Sequence, residues 1–167
     1  IAVCSYIALA SVATFALIQA VPYGHNHTNP TNYNRQYEPN WDSVRYLKET
    51  IWPQIRAKMP QAQLHVYGSY AGAKVLQLHK PAEGFHVLGR AEDSLTVMKN
   101  ARVCLAPLRF GAGIKGKLAE AMLCGTPSVT TAVGAEGLRG EMPWNGAVTE
   151  ELSIFVNAAV ELYQDKN

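Results

Sequence analysis

Between Asp93 and Glu120 the sequence carries no acidic residue, yet Lys99, Arg102, Arg109, Lys115 and Lys117 all fall in that interval. Gly111, Gly113 and Gly116 are interleaved with the last three of these cations. A glycine has no side chain to hold a ligand off, so backbone N–H groups can approach a phosphate closely. The apolar spacing from Ile114 to Leu123 predicts a helix, which puts Lys115 and Lys117 at its start. A helix N-terminus is already positive, and a cation there is disfavoured by roughly 0.3–1 kcal/mol. An acid is the ordinary choice, so two lysines point to an anion in the working state. Glu120, one turn on, can accept hydrogen bonds from sugar hydroxyls. A phosphate at the helix start and a ribose one turn along match a nucleoside diphosphate. The competing reading is a solvated basic loop, with Glu120 paired to Lys117 three residues away.

Better-known phosphate loops do not fit. The Gly-Lys-Ser/Thr ending of a Walker loop is missing. Gly111-x-Gly113-x-x-Gly116 matches the letters of a dinucleotide fingerprint, but it lies late in the chain. No acid follows at the required distance after a second strand; the nearest, Glu136, sits in a loop-like Gly-Ala-Glu-Gly. An NAD(P) domain is therefore the weakest of the readings carried. No set of residues has metal-ligand spacing and no Asp-x-Asp triplet occurs, so neither a metal nor a resident cofactor is expected. His25 and His27 read as loop surface, and the sequon Asn26-His27-Thr28 does not establish secretion.

A parallel α/β scaffold is predicted around the loop. A buried first strand is expected near Thr14 to Gln19, followed by a loop from Val21 to Glu38. Asn40 or Asp42 can cap a helix from Ser43, in which Val44, Leu47, Ile51 and Ile55 mark a buried stripe. Pro53 should kink or restart it near Trp52. Strands are expected at Gln63–Gly68, Gly84–Gly89, Arg102–Pro107 and Ser128–Thr131. Between them lie a short helix from Ala71 to Leu78 and a helix opened by Glu92-Asp93 and running through Met98. Gly125 caps the helix that begins at Ile114, and Thr149 starts a last helix reaching about Tyr163. Short apolar strands alternating with helices imply a parallel sheet with helices on both faces. In such sheets ligands bind beyond the carboxyl ends of the strands, here the loops after Gly68, Gly89 and Pro107.

The 167 residues suffice for one ordinary domain, and 48% hydrophobic against 17% charged residues marks a folded chain. A net charge of +2 is too small to argue for nucleic acid or an anionic membrane. Three cysteines match no metal or redox spacing; Cys104 and Cys124 read as buried small hydrophobes, as suits a reducing compartment. Ile1 to Asn34 contain no Asp, Glu, Lys or Arg, and Ile1 to Val21 are nearly long enough to span a bilayer. Ser5, Ser11, Thr14 and Gln19 dilute that stretch and no basic flank precedes it. Residues 1–37 are accordingly set apart from the domain at 38–167, apart from the first strand they are expected to supply.

From Glu38 to Asp165 the sequence resembles the family-4 retaining glycosyltransferases, the group-1 glycosyl transferases of bacterial polysaccharide and glycolipid assembly. The matching segments are Glu38-Pro-Asn-Trp-Asp-Ser-Val44, Ile51-Trp-Pro-Gln-Ile55, Leu64-His-Val-Tyr-Gly68 and Phe85-His-Val-Leu-Gly89. The most specific is Ala106-Pro-Leu-Arg-Phe-Gly-Ala-Gly-Ile-Lys-Gly-Lys-Leu-Ala-Glu-Ala-Met122, followed by Cys124-Gly-Thr-Pro127 and Thr131-Ala-Val-Gly-Ala-Glu-Gly137. The resemblance implies the C-terminal, Rossmann-like half of a GT-B fold, which binds the nucleotide-sugar donor. It implies that Arg109, Gly111, Gly113, Lys115 and Lys117 form the donor-diphosphate loop, with Arg109 and Lys115 as catalytic residues. Glu120 would hold the ribose hydroxyls, and Gly89 and Arg90 would lie near the base. Transfer with retention and without a metal is implied as well.

Two departures qualify this. The first glutamate of the family's pair falls at Ala112, a Gly-Ala-Gly variant that puts the donor-sugar contacts in question. The family's tight glycine turn after the first strand corresponds to the unusual stretch Gln19 to Arg35. The function expected is transfer of a sugar from a nucleoside-diphosphate sugar to a glycan or lipid acceptor. The alternative is a nucleotide-sugar-binding module without catalysis. Transfer needs an acceptor domain, which 167 residues cannot also supply, so the partner expected is a missing N-terminal domain. The expected location is cytoplasmic, and peripheral association with the inner face of the membrane is compatible with it.

Overall fold

In the strand that leads into the basic loop, Val103, Cys104, Leu105 and Ala106 are all 0% exposed. Successive strand residues point to opposite faces, so this strand is covered on both sides. Val103 and Leu105 join a core with Leu64, Val66, Phe85 and Val129, whereas Cys104 and Ala106 pack with Met98, Leu118 and Ala121.

The computed structural model describes residues 14–19, 39–68 and 73–165. The His25–Thr28 stretch, most of the apolar N-terminal segment and the rest of the loop to Glu38 lie outside these. Six strands form one sheet: β1 (Thr14–Gln19), β2 (Gln63–Gly68), β3 (Phe85–Gly89), β4 (Val103–Ala106), β5 (Ser128–Thr130) and β6 (Gly146–Val148). Their order is β3-β2-β1-β4-β5-β6, and every neighbouring pair is parallel. The order reverses between β1 and β4, and the crevice beyond the carboxyl ends of those two strands is where such sheets bind ligands.

Helix α1, residues 39–46, passes into a π-helical turn, Leu47–Ile51, and then into α2, Trp52–Lys58. One expectation changes here and one holds. Asn40 and Asp42 lie inside the helix and do not cap a start at Ser43. A regular helix restarts at Trp52 as expected, with Pro53 in its first turn, where its missing N–H is tolerated, and the irregularity falls in the turn just before it. Trp52, 1% exposed, is anchored through Nε1, which donates to Glu83 O at 2.7 Å.

The remaining helices are α3 (Ala73–Leu76), α4 (Ser94–Asn100), α5 (Gly116–Cys124), α6 (Ala132–Ala135) and α7 (Leu152–Gln164). α2 and α7 cover the Val103–Leu105 side of the sheet; α4 and α5 cover the other. α5 starts two residues after Ile114, with Lys115 in the N-cap position, and ends on Gly125 at φ 70°. Left-handed backbone at that position favours glycine. β6 and α6 were not expected. Cys104 is buried, but Cys124 is only half-buried, its thiol 3.7 Å from Leu95 O. No helix among the described residues is long and apolar enough to cross a membrane.

Candidate nucleotide site at the start of helix α5

The loop from β4 to α5 leaves the sheet at Pro107 and bends through Gly111 at φ 126° and Gly113 at φ 78°. Both are conformations that side chains oppose. At Gly113 a Cβ would meet nothing within 4 Å, so backbone angle, not crowding, calls for glycine there. The segment Arg109 to Ile114 is exposed, but Lys115 and Lys117 are 9% and 3% exposed. The cations thus sink into the protein where the loop becomes helix.

Each has a defined partner. Lys115 Nζ donates to Gly113 O, closing the loop on itself, and lies 3.6 Å from Glu136 Oε2. Lys117 Nζ donates to Asn40 Oδ1 at 3.0 Å. Burial, reinforced by the charge of Lys115, pulls the Lys117 ammonium down to about 8. No side chain caps α5, because a lysine at the N-cap has no acceptor to offer. Arg109 donates through Nε to Asp42 Oδ2 at 2.9 Å and through Nη2 to Asp42 Oδ1, and its guanidinium lies 4.8 Å from the centre of the Tyr46 ring. Asp42 is also 3.7 Å from Arg45. Asn40 and Asp42 therefore bring α1 against both ends of the loop.

Glu120 does not take Lys117 as its hydrogen-bond partner. Its Oε1 accepts from Ser94 Oγ at 3.1 Å, at the start of α4. Its Oε2 is buried without a partner among the described residues. The other two cations of the acid-free run serve the scaffold. Arg102 donates to the carbonyls of Tyr163 and Asp165, at 2.9 and 3.0 Å, at the end of α7. Lys99 sits in the last turn of α4, where the helix end favours a cation.

Gly89 closes β3 at φ 72°, with Arg90 exposed beside it. β3 is an edge strand, separated from β4 by β2 and β1, so these two residues stand at the far side of the crevice from Arg109. On the α7 side, a mostly apolar cavity of about 210 Å³ lies beyond β4, β5 and β6, lined by Pro107, Thr131 and Phe155 among others and edged by Arg109 and Glu150.

Sequence reasoning missed Asp42, Asn40 and Ser94. The two α1 residues were visible as polar residues near a helix start, which is why they read as caps. A second set of ionisable groups, His65, His86 and His79, stacks edge-on with ring centres 5.2 and 6.0 Å apart. Val87 N donates to His79 Nδ1 at 3.0 Å, and burial holds His65 and His86 below the usual imidazole range. Among the described residues no group of three or more His, Cys, Asp or Glu is arranged to hold a metal ion.

Residues 33–165 match the family described as Glycosyl transferases group 1. No curated protein sequence matches the chain. Among solved structures, Anabaena Alr3699/HepE in complex with UDP and glucose aligns at 16% identity and a TM-score of 0.58, covering 92% of this chain and 40% of that one. WaaG, a glycosyltransferase involved in lipopolysaccharide biosynthesis, aligns at 16% identity and a TM-score of 0.54, with 92% and 39% covered. TarM aligns at 13% identity and a TM-score of 0.51, with 93% and 32% covered. At these identities the likeness is one of fold, that of a Rossmann-like domain of the GT-B type. The chain spans about two fifths or less of the length of these structures.

Proposed function

The chain belongs to the group 1 glycosyl transferases, and from that membership we propose that it is the donor-binding, C-terminal half of a family-4 enzyme. That enzyme moves a sugar from a nucleoside-diphosphate sugar to a glycan or lipid acceptor. The observation that carries the proposal is the start of α5. There an uncapped helix end, two lysines drawn into the protein and a carboxylate with a bare oxygen one turn along follow one another on a single element. A diphosphate meets the N–H groups of Gly116 and Lys117 and the charge of Lys115, and a ribose hydroxyl meets Glu120. The UDP held by the HepE structure is a ligand of this class.

Catalysis on this reading is stabilisation of the leaving group. As the bond to the anomeric carbon breaks, negative charge grows on the diphosphate, and fixed cations with helix-end N–H groups oppose it at no cost of reorganisation. Lys115 acts as a buried point charge. Arg109 can grip two oxygens at once, and its guanidinium is half-exposed although its partner Asp42 is largely buried. Retention and metal independence belong to the proposal too, as do an N-terminal acceptor domain and a cytoplasmic site of action at the membrane face. Ala112 leaves the donor sugar without one carboxylate contact, so its hydroxyls are read by other groups.

The test is calorimetric titration of the chain with UDP and with GDP at low salt, followed by assay with nucleotide-sugars and a panel of acceptors. We expect binding of a nucleoside diphosphate that weakens with added salt, and neither transfer nor rapid hydrolysis without the second domain. No binding of either nucleotide would sink the donor-domain reading. Robust transfer by these 167 residues would sink the half-enzyme reading.

A further inference from the structure

The two oxygens of the Glu120 carboxylate are in unlike surroundings. Oε1 accepts the Ser94 hydroxyl at 3.1 Å, while Oε2 is buried with no partner among the described residues. A serine hydroxyl has one proton to give, and here it goes to Oε1. Ser94 is itself held in place without using that hydroxyl. The preceding residue, Asp93, caps α4, accepting Leu95 N at 3.0 Å and Thr96 Oγ1 at 2.5 Å. The lysines nearest in sequence make their hydrogen bonds elsewhere, Lys115 to Gly113 and Lys117 to Asn40. A buried carboxylate oxygen without a donor is costly and calls for an explanation. The donor that fits comes from a ligand.

We propose that Ser94 is a positioning and specificity-determining residue of the nucleotide site: it occupies one oxygen of Glu120 and aims the other at the hydroxyls of a ribose. This rests on the donor-binding reading above. One oxygen with two lone pairs can accept from both hydroxyls of a vicinal diol. The site therefore prefers ribonucleotides, because a sugar without the diol leaves Oε2 buried and unsatisfied again. Ser94 also ties the β3–α4 connection, where the base is expected, to the helix that holds the diphosphate. The distance between base and phosphate subsites is thus gauged at the ribose.

The experiment titrates UDP, GDP and their 2′,3′-dideoxy counterparts into the wild-type chain and into Ser94→Ala, Ser94→Thr, Glu120→Ala and the Ser94→Ala/Glu120→Ala double variant. Wild type should favour the ribonucleotide. Ser94→Ala should bind it about five- to tenfold more weakly, the effect of losing one ordinary hydrogen bond. The ribo-to-dideoxy ratio should fall with it, whether or not the thermal midpoint moves. Ser94→Thr should restore the ratio, and the double variant should be no weaker than Glu120→Ala. An unchanged ratio in Ser94→Ala overturns the inference. So does an equal loss of both ligands with a lowered midpoint, which marks a structural serine. If wild type binds neither UDP nor GDP, the donor-binding reading fails first and this inference with it.

Discussion

The two ends of the β4–α5 loop treat their cations in opposite ways. At the strand end, Arg109 has 47% of its side chain exposed and donates two hydrogen bonds to a nearby carboxylate. At the helix end, Lys117 is buried, has a neutral amide for a partner, and is depressed to about 8. The first is a half-exposed guanidinium held by a largely buried carboxylate. The second is a charge kept out of water before any anion arrives. The contrast separates two jobs that a run of basic residues conflates. A surface arginine recruits and orients an anion, and a buried lysine next to a helix start supplies a potential that the anion completes.

The largest expected effect lies at the buried end. The folded chain gives up the Lys117 proton at about 8, whereas an ordinary lysine gives it up at 10.5. Between those values the unfolded chain binds a proton that the folded chain lacks, so stability rises with pH across that window and is flat below it. The gain is on the order of 3 kcal/mol. Urea unfolding between pH 7 and 10.5 should show the rise as the difference between wild type and Lys117→Met, because the buried Cys104 thiol, pushed up to about 12, lowers the stability of both above about pH 9. A parallel rise in the variant would assign it to another group. A bound diphosphate stabilises the ammonium, so UDP binding should take up a proton near pH 8–9, measurable by titration in buffers of different ionisation enthalpy.

Next in size is Glu120→Ala, which should weaken nucleoside diphosphate binding by about 1.5–3 kcal/mol and leave the fold intact. Affinity unchanged in calorimetry would show that the carboxylate serves only to join α5 to Ser94. The smallest effect belongs to the exposed end. Asp42→Asn should destabilise the fold by about 1–2 kcal/mol, because the carboxylate is largely buried, and should leave UDP affinity the same or tighter because Arg109 is released. If Asp42→Asn instead weakens binding tenfold or more, Arg109 works as a fixed member of the site and the two ends are alike.

The scaffold was legible where short apolar runs ended at glycine, as at Gly68, Gly89 and Gly125, because backbone angle and burial agree there. β6 and α6 were not, since three strand residues and four helical ones have no period to display. The absence of acids between Asp93 and Glu120 is a property of the chain, and only partly of space. Asp42 reaches Arg109 across 67 positions, and Glu136 reaches Lys115 from the loop after α6. Local sequence gave the cations and their helix. It could not give partners that only the fold brings near. Glu120 was found by its spacing, whereas Ser94 carried no signal, being one polar residue at one of several helix starts.

The π-helical turn Leu47–Ile51 works as a phase adjuster between two rigid rods. An α-helix turns about 100° per residue, and a π turn accommodates one residue more than the regular ladder would. Downstream of it, Trp52 and Ile55 are locked into the core; upstream, Asn40 and Asp42 face the β4–α5 loop. Deleting one residue within 47–51 would let the ladder close into regular α-helix with both rods still in phase, whereas deleting one from the regular turns on either side would swing the upstream rod by roughly 100° about its axis. Every residue of the anion site would still be encoded after the second change, yet Asn40 would leave Lys117 and Asp42 would leave Arg109. Tolerance to a lost residue should therefore be greater in the bulge than in the regular turns that flank it.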